Sequence, residues 1–307
     1  MTAAALNAGQ RPSLERTLAI AALIGSAASW GLATVMTKSA LSALPPFTLL
    51  AIQLAASVTF LWCAVAALRQ RVGFDSRSRR AALSGLLEPG LAYGVSVPGL
   101  ALTSAANASV IATLEPVLVC AVAWLLLRER PRLHVVAAIF AAVIGAALVS
   151  VSGEASTQGA GPLAGNILVL AGTLFAAFYV VLSSRILADN APLPLAALQQ
   201  TVGLLFALLL LAATRLLKWE QPPHAIPTST ILFALGSGVV QYAMPFWLYL
   251  AGLKVLRTST AALFLALIPV FGVSGAMLFL GESLLPEQLL GCAIVIVAVA
   301  TTARRAG

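Results

Sequence analysis

The sequence predicts an all-α polytopic membrane protein with ten transmembrane helices, arranged as two inverted five-helix repeats. Hydrophobic residues make up 60% of the 307 positions and charged residues only 9%, against about 45–50% and about 25% in soluble proteins. So few charged side chains cannot cover the surface of a soluble protein of this size. Disordered chains are poor in apolar residues. Both classes are therefore excluded, and the composition favours a chain that is solvated by lipid.

Apolar runs long enough to cross a bilayer follow one another along the chain. A transmembrane helix needs about 20 mostly apolar residues, and charged residues, prolines and glycines mark where each run ends. These rules predict ten spans, at residues 17–40, 46–68, 81–101, 106–127, 133–152, 163–185, 193–214, 229–252, 259–280 and 287–303.

The Lys and Arg residues indicate the orientation of the chain. If the N-terminus is inside, fifteen of the 18 Lys and Arg residues fall on the inner side, and only Lys38, Arg215 and Lys218 fall outside. Inner loops of membrane proteins carry such an excess of Lys and Arg. The pattern predicts that both termini are cytoplasmic, and it explains the net charge of +8 without nucleic acid as a partner.

Two stretches of the first half recur in the second half. At shifts of 153 and 147 residues, the matched pairs are Gly99 with Gly252, Ala108 with Ala261, Pro116 with Pro269, Glu129 with Glu282, Pro45 with Pro192, and Gln53 with Gln200. Because each half holds five spans, the second half enters the membrane from the opposite face. We expect one repeat over residues 1–152 and an inverted repeat over 153–307, an architecture typical of secondary transporters.

The ten spans, the five-plus-five repeat and the stretch A-x-x-x-x-x-x-x-P followed by a terminal Glu in the fourth and ninth spans resemble the drug/metabolite transporter superfamily, in its EamA branch. Within that branch the chain looks most like bacterial YddG-type exporters of aromatic amino acids. The resemblance implies a secondary transporter in the bacterial inner membrane. It would export small amphipathic metabolites, aromatic and other amino acids among them, by alternating access.

The sequence gives no sign of a cofactor or a metal. It carries no Walker motif and no Rossmann motif. Its three cysteines, Cys63, Cys120 and Cys292, are far apart in apolar stretches, which disfavours a metal site. The expected partners are a small-molecule substrate (an amino acid or a drug) and membrane lipid. Ten spans suffice to enclose a path, so a monomer is plausible.

Prolines interrupt predicted spans in corresponding positions of the two halves. They are Pro89 and Pro98 in the third span, Pro116 in the fourth, Pro245 in the eighth and Pro269 in the ninth. Proline frees a backbone carbonyl and bends a helix. Paired interruptions of this kind indicate a binding site near the bilayer midplane and positions that bend during gating. General tolerance of transmembrane helices for proline is the alternative.

Aromatic and polar side chains at mid-depth are the candidate substrate-binding residues. Pockets for small molecules combine apolar and aromatic walls with a few polar groups, although each aromatic residue alone is also explained by packing. The candidates are Trp30, Tyr93, Ser96, Asn107, Tyr179, Tyr242, Phe246 and Phe271. Tyr93 and Tyr242 are the strongest, because a hydroxyl at mid-membrane needs a hydrogen-bond partner.

Two acids lie inside predicted spans. Glu88 comes eight residues after Arg80, and Glu115 directly precedes Pro116. A carboxylate at mid-membrane costs at least about 2.5–3.5 kcal/mol, so such residues are functional candidates by default. Either acid could bind an ammonium group or carry a proton that couples transport to a gradient. A protonated carboxyl with a purely structural role is the third alternative.

Three alternative functions make different demands on the residues. An exporter of drugs or organic cations is the alternative that would use the same fold and the same two acids. An intramembrane enzyme would need His, Asp or Cys clusters, and no histidine accompanies Glu88 and Glu115 at depth. We therefore expect no enzyme activity. A receptor or structural protein would leave the repeat unexplained.

Overall fold

A computed structural model describes residues 3–73, 75–102, 111–152, 163–223, 226–280 and 285–305, and within these ranges it contains helices and no strand. The helices are α1 (Ala3–Ala40), α2 (Pro46–Ala67), α3 (Ser76–Ala82), α4 (Ala92–Leu102), α5 (Glu115–Leu127), α6 (Leu133–Ser152), α7 (Leu163–Ile186), α8 (Pro192–Leu216), α9 (Thr228–Gly238), α10 (Met244–Leu253), α11 (Thr258–Leu263), α12 (Ile268–Leu280) and α13 (Pro286–Arg305).

Short irregular turns divide three of the predicted spans. A 3₁₀ turn at Leu83–Leu86 and a wide π turn at Leu87–Leu91 join α3 to α4. A π turn at Val239–Ala243 joins α9 to α10, and a 3₁₀ turn at Phe264–Leu267 joins α11 to α12. Most other helix ends lie close to the predicted boundaries, for example Pro46–Ala67 against 46–68. α5 begins at Glu115, after a turn at residues 113–114, and the predicted start of this span at residue 106 lies outside the described residues. Only α1 extends well before its predicted start.

Seven helical segments in the described part of the chain are long and apolar enough to cross a membrane by length and composition: Leu14–Thr37, Pro46–Ala67, Leu163–Ile186, Pro192–Leu216, Thr228–Leu253, Thr258–Gly275 and Pro286–Arg304. Glu115–Leu127 and Leu133–Leu148 are shorter apolar helices. All seven hold backbone hydrogen bonds within one segment, which the hydrocarbon core requires. The predicted class, an all-α multi-pass membrane protein, agrees with these helices.

The helices pack in a pattern that links the first half of the chain to the second. α4 packs along α7, and α1 packs along α10. α5 also packs on α7, and α12 also packs on α1. α2 lies against α8, and α6 lies against α13. Each half therefore finds most of its helix partners in the other half, and the central core is built by both.

Two close helix crossings in the structure each pair a glycine with a glutamine, and the two glycines are 153 positions apart. A Cβ atom on Gly85 would collide with the backbone of Gln199 on α8, and a Cβ on Gly238 would collide with the backbone of Gln53 on α2. Only glycine permits two backbones to approach this closely. The two glycines thus place the irregular turns of both interrupted segments directly against a neighbouring helix.

Hydrogen bonds at these crossings correct one predicted match. Gln199 Nε2 donates to Ser84 Oγ (2.7 Å) and to Ser183 Oγ (3.2 Å). Gln53 Nε2 donates in the same way to Ser237 Oγ (2.9 Å) and to Thr37 Oγ1 (3.2 Å). The residue equivalent to Gln53 is therefore Gln199. The predicted match with Gln200 differs from this by one position, because Pro46, and not Pro45, begins its helix as Pro192 does.

Polar contacts at the end of the bundle that carries most Lys and Arg residues join the two halves. Arg77 forms a salt bridge with Asp189 (2.8 Å). The hydroxyl of Ser259, at the start of α11, donates to Glu129 Oε1 (2.9 Å) just after α5. Asp75 is the N-cap residue of α3, and hydrogen bonds from Ser78 lower the pKa of its carboxyl. The Arg77–Asp189 and Ser259–Glu129 contacts therefore join connectors of the two halves at this end of the bundle.

At the opposite end of the bundle, the buried carboxylate of Glu220 caps the N-terminus of α2. It accepts hydrogen bonds from the backbone N–H groups of Phe47 and Thr48 (both 2.9 Å) and from the Thr48 hydroxyl (2.6 Å). Arg215 Nη2 lies 3.5 Å from Glu220 Oε1. The residue preceding α2, Pro45, supplies no side-chain cap. Glu220 therefore satisfies the free N–H groups of the first turn of α2 from the end of α8.

Candidate substrate-binding site

Six aromatic residues from four helical segments meet in the core, and we call them the aromatic cluster: Trp30, Tyr93, Tyr179, Tyr242, Phe246 and Tyr249. The ring of Phe246 is at its centre, with ring centroids 5.3 Å from Trp30, 5.7 Å from Tyr179 and 6.4 Å from Tyr93. The Tyr93 and Tyr242 rings meet edge to face at 4.8 Å. Tilted and edge-to-face contacts at these distances are the favoured geometries of aromatic pairs.

The aromatic cluster is closed to solvent. Tyr179, Tyr242, Phe246 and Tyr249 are each 1% exposed and Trp30 is 9% exposed, whereas Tyr93 is half-buried. The structure therefore shows these rings packed on one another. Residues Tyr242, Phe246 and Tyr249 are spaced i, i+4 and i+7 along one helix face, so α10 and the turn before it present half of the cluster.

Both predicted acids lie beside the aromatic cluster. Glu88 is 6% exposed and Glu115 is half-buried at the start of α5. The two carboxyls are close enough to interact electrostatically, and Glu88 also interacts with the hydroxyls of Tyr93 and Tyr242. Among the described residues, neither carboxyl has a hydrogen-bond donor or an ion-pair partner. Two acids without partners in a closed core are unusual, because buried carboxyls are normally hydrogen-bonded.

Backbone irregularities bring these acids inward. Glu88 has extended dihedral angles (φ −147°, ψ 127°) inside an otherwise helical segment, and Pro89 after it packs against Gly203 of α8. Glu115 follows a turn and begins α5, with Pro116 in the first helical turn. At both places a proline stands where the preceding helix is interrupted, so each acid sits at a break in its span.

The other three predicted prolines differ in their position within the helices. Pro245 lies in the first turn of α10, after the π turn, and its carbonyl accepts a hydrogen bond from Ser26 Oγ of α1 (2.8 Å). Pro269 lies in the first turn of α12, where Gly31 allows α1 to approach the carbonyl of Ile268. Pro98 lies inside the continuous helix α4, and it therefore does not mark an interruption.

Two other candidates lie apart from the aromatic cluster. Ser96 packs against Gly172 where α4 crosses α7, and the Cβ of Phe271 packs against Gly31 of α1. Both side chains are half-buried. Asn107 lies outside the described residues, as does Glu282, the repeat partner of Glu129.

Polar side chains connect the aromatic cluster to the surrounding helices. Gln241 Nε2 donates to the Tyr93 hydroxyl (3.4 Å), and the Tyr179 hydroxyl donates to Gln199 Oε1 (2.9 Å). Gln199 in turn donates to Ser84, three positions before Leu87 and four before Glu88. The buried hydroxyl of Tyr249 has no hydrogen-bond partner in the described part of the chain. Tyr249 and Gln241 Oε1 thus add unused polar atoms to the same core.

Gln199, Ser84 and Tyr249 were not among the sequence candidates. The repeat held a usable signal for Ser84, because Ser84-Gly85 and Ser237-Gly238 are spaced by the same 153 residues as the other matched pairs. The spacing of Tyr249 after Tyr242 was also visible. Nothing in the sequence indicated that Gln199 joins Tyr179 to Ser84.

The chemistry of this core is suited to binding. An aromatic wall, two acids and a few amide and hydroxyl groups can hold a small amphipathic molecule with a cationic end. Across the described ranges no group of three or more His, Cys, Asp and Glu side chains is arranged to hold a metal ion.

The comparisons with known proteins give the family. The model of the EamA-like transporter family matches residues 17–151 and again residues 163–304. The chain therefore belongs to the EamA-like transporter family. As a member of it the chain is a multi-pass membrane transporter, and family membership points to transport and away from an enzyme.

One curated relative and one solved structure are also similar to the chain. An uncharacterized transporter, YyaM, of Bacillus subtilis (strain 168) is 27% identical over 206 residues, which is 66% of this chain and 66% of YyaM. The match thus spans just under two thirds of that relative. One solved crystal structure shares the fold with a TM-score of 0.77 at 20% identity, over 94% of this chain and 99% of the other.

Proposed function

We propose that this protein is a secondary transporter that exports small amphipathic metabolites, aromatic amino acids first among them, by alternating access. The single observation that carries the proposal is the pair of acids, Glu88 and Glu115, that lie beside the aromatic cluster without a hydrogen-bond or ion-pair partner among the described residues. An amino acid such as phenylalanine carries an ammonium group and an aromatic ring. The acids suit the ammonium group, and the rings suit the aromatic side chain.

The second support is the relation between the two halves of the chain. The family model matches each half, and the Gly85 and Gly238 crossings use equivalent residues. Ten spans in two inverted repeats, over residues 1–152 and 153–307, account for both observations. Two similar halves of opposite orientation can exchange conformations, and this exchange moves the opening from one membrane face to the other.

The location of the aromatic cluster fits a substrate site between these halves. Trp30 and Tyr93 come from the first half, and Tyr179, Tyr242, Phe246 and Tyr249 come from the second. Substrate sites of inverted-repeat transporters lie at the interface of the repeats, where helices are interrupted. A ligand would enter between Tyr93 and Tyr242 as the halves separate, and its amino group would lie toward Glu88 and Glu115.

The two acids serve as the coupling groups in this proposal. A charged carboxylate is unfavourable in a closed, lipid-surrounded core, and it becomes favourable when a cationic substrate or water reaches it. A proton can then be exchanged for the substrate ammonium group at the same position. Glu115 has Ile268 as its repeat partner, so this acid is not a requirement of the scaffold.

The excess of Lys and Arg on one side supports a chain with both termini in the cytoplasm, and the proposed location is the inner membrane of a bacterium. In this orientation the Arg77–Asp189 and Ser259–Glu129 contacts lie at the cytoplasmic face. The Glu220 contacts lie at the outer face. A monomer contains both repeats and hence a whole path.

A second cargo class, organic cations and drugs, is favoured by the same two acids, because aromatic rings and carboxylates together bind quaternary ammonium groups. Flux assays in proteoliposomes separate the two. Saturable uptake of labelled phenylalanine, competed by tryptophan and above that of empty liposomes, is expected. Flux of an organic dication without flux of phenylalanine or threonine would indicate that the cargo is a drug or another organic cation. No flux of either from folded protein would contradict the transport proposal.

A further inference from the structure

A cavity of about 390 Å³ lies at the end of the bundle that carries most of the basic residues. It is formed by α1, by the connector before α6 and the first turn of α6, by the connector between α10 and α11 and the start of α11, and by the end of α13. Its charged and polar walls include Glu15, Arg16, Arg132, His134, Arg257 and Ser259. None of these residues belongs to the aromatic cluster.

The cavity has an excess of unneutralised positive charge. Three arginines line it against one acid, Glu15. Arg257 is partly neutralised by Glu129, at 3.5 Å. Arg16 and Arg132 have no ion-pair or side-chain hydrogen-bond partner among the described residues, and Arg16 Nη2 is buried. A buried guanidinium nitrogen without an acceptor is unfavourable, so an anion in this cavity would supply what the protein lacks.

The arginine side chains, the volume of the cavity and the apolar residues beside it indicate which kind of anion would fit. Guanidinium groups present planar pairs of donors that match phosphate oxygens. At about 30 Å³ for each water molecule, the cavity holds about a dozen waters, which is much more than a bare phosphate ion occupies. Val255 on its wall is exposed, and Leu14 and Leu18 are exposed on α1 next to Glu15 and Arg16. The polar cavity thus opens beside apolar surface.

We infer that this cavity is a binding site for a phosphate ester, held by Arg16 and Arg132. The ester is either the headgroup of an anionic membrane lipid, whose acyl chains would lie on Leu14, Leu18 and Val255, or a soluble organic phosphate. Basic pockets between transmembrane helices at the cytoplasmic face are suited to anionic headgroups. The inference does not depend on which substrate the aromatic cluster binds.

The test is thermal unfolding of the purified full-length protein during titration with four compounds. These are dioctanoyl-phosphatidylglycerol, dioctanoyl-phosphatidylcholine, glycerol 3-phosphate and glycerol. A ligand that binds the folded protein raises its apparent Tm with saturation. The variant Arg16→Gln/Arg132→Gln removes the two arginines of the cavity that have no ion-pair partner among the described residues. Arg71→Gln/Arg80→Gln, at exposed positions outside the cavity, removes the same charge and serves as the matched control.

We expect saturable stabilisation by phosphatidylglycerol and not by phosphatidylcholine. The apparent Kd should rise about tenfold or more in Arg16→Gln/Arg132→Gln and stay unchanged in the control. Stabilisation by glycerol 3-phosphate with the same variant pattern would assign the site to a soluble phosphate. Equal stabilisation by the charged compounds and their neutral counterparts, or equal loss in both double variants, would overturn the inference.

A gain-of-affinity variant keeps the test valid if the double variant does not fold. Glu15→Gln removes the one acid that lines the cavity. The phosphate-bearing ligand should then bind more tightly than to the unchanged protein. Weaker or equal binding to folded Glu15→Gln would contradict a phosphate site at this position.

Discussion

Gln199 on α8 donates a hydrogen bond to Ser84 across 2.7 Å, and Ser84 lies four residues before the acid Glu88. This bond joins a helix of the second half to the interrupted segment of the first half. Gln53 and Ser237 form the same bond (2.9 Å) between a helix of the first half and the interrupted segment of the second. The two interrupted segments are therefore anchored by equivalent contacts, and both contacts are buried.

The first prediction concerns this pair of anchors. Gln199→Leu removes the hydrogen bonds of Gln199 to Ser84, Ser183 and Tyr179, and each buried polar group that loses its partner costs about 1–3 kcal/mol. Gln53→Leu removes two bonds, to Ser237 and Thr37. Ser84 and Ser237 keep their bonds to the carbonyls of Ala81 and Ala234 in both variants. We expect both variants to unfold at a lower temperature in detergent, and Gln199→Leu to unfold at the lower of the two. The exposed Gln221→Leu is the control and should be close to the unchanged protein. Equal stability of Gln199→Leu and Gln221→Leu would refute the anchoring role.

The second prediction concerns the cap of α2. Glu220→Ala removes the acceptor of two backbone N–H groups and one hydroxyl, and hydrogen bonds to a charged group contribute about 1.5–3 kcal/mol. The free energy of unfolding should fall by about 2 kcal/mol or more. Glu287→Ala, at an exposed acid in the first turn of α13, should cost less than about 1 kcal/mol. The idea fails if the two variants are equally stable.

The third prediction tests movement of the halves at the end of the bundle that carries most Lys and Arg residues. Cysteines replacing Glu129 and Ser259, in a background without Cys63, Cys120 and Cys292, can be joined by a short bifunctional thiol reagent, because the native side chains touch. Alternating access requires this contact to open, so cross-linking should abolish flux, and cleavage of the cross-link should restore it.

The control for the cross-link lies within one half of the chain. Cysteines replacing Asp75 and Ser78, at the start of α3, can be joined by the same reagent without linking the halves. Flux should persist in this control. Undiminished flux through protein cross-linked between positions 129 and 259 would show that this contact does not open during transport.

Much of the fold was predictable because its signals are local. Span boundaries follow from apolar run length and from charged residues, so Pro192–Leu216 lies within two residues of the predicted 193–214. The i, i+4, i+7 spacing of Tyr242, Phe246 and Tyr249 also predicts one aromatic helix face. The acids Glu88 and Glu115 stood out because charge is rare in apolar segments.

The parts that sequence reasoning missed depend on contacts between distant helices. Tyr179 meets Phe246, and Gln199 meets Ser84, only because α7, α8 and the turn at Leu83–Leu86 cross at particular heights. Those heights are fixed by glycines such as Gly85 and Gly172, which allow close backbone contact. The predicted match of Gln53 with Gln200 was off by one residue because two prolines, Pro45 and Pro46, and two glutamines, Gln199 and Gln200, stand side by side in the sequence. Ser96 and Phe271 are at the right depth but on helix faces that meet Gly172 and Gly31.

The central claim is that substrate passes through the core beside Glu88 and Glu115, and the most direct measurement is flux of labelled phenylalanine in proteoliposomes with and without a pH gradient. Glu115→Gln keeps the size and polarity of the side chain but cannot take a charge. It should fold normally, transport at least about tenfold more slowly and lose any acceleration by the pH gradient, whereas the exposed-acid control Glu287→Gln should transport as the unchanged protein does. Glu115→Gln that is well folded and transports at the normal rate, with normal acceleration, would contradict the claim.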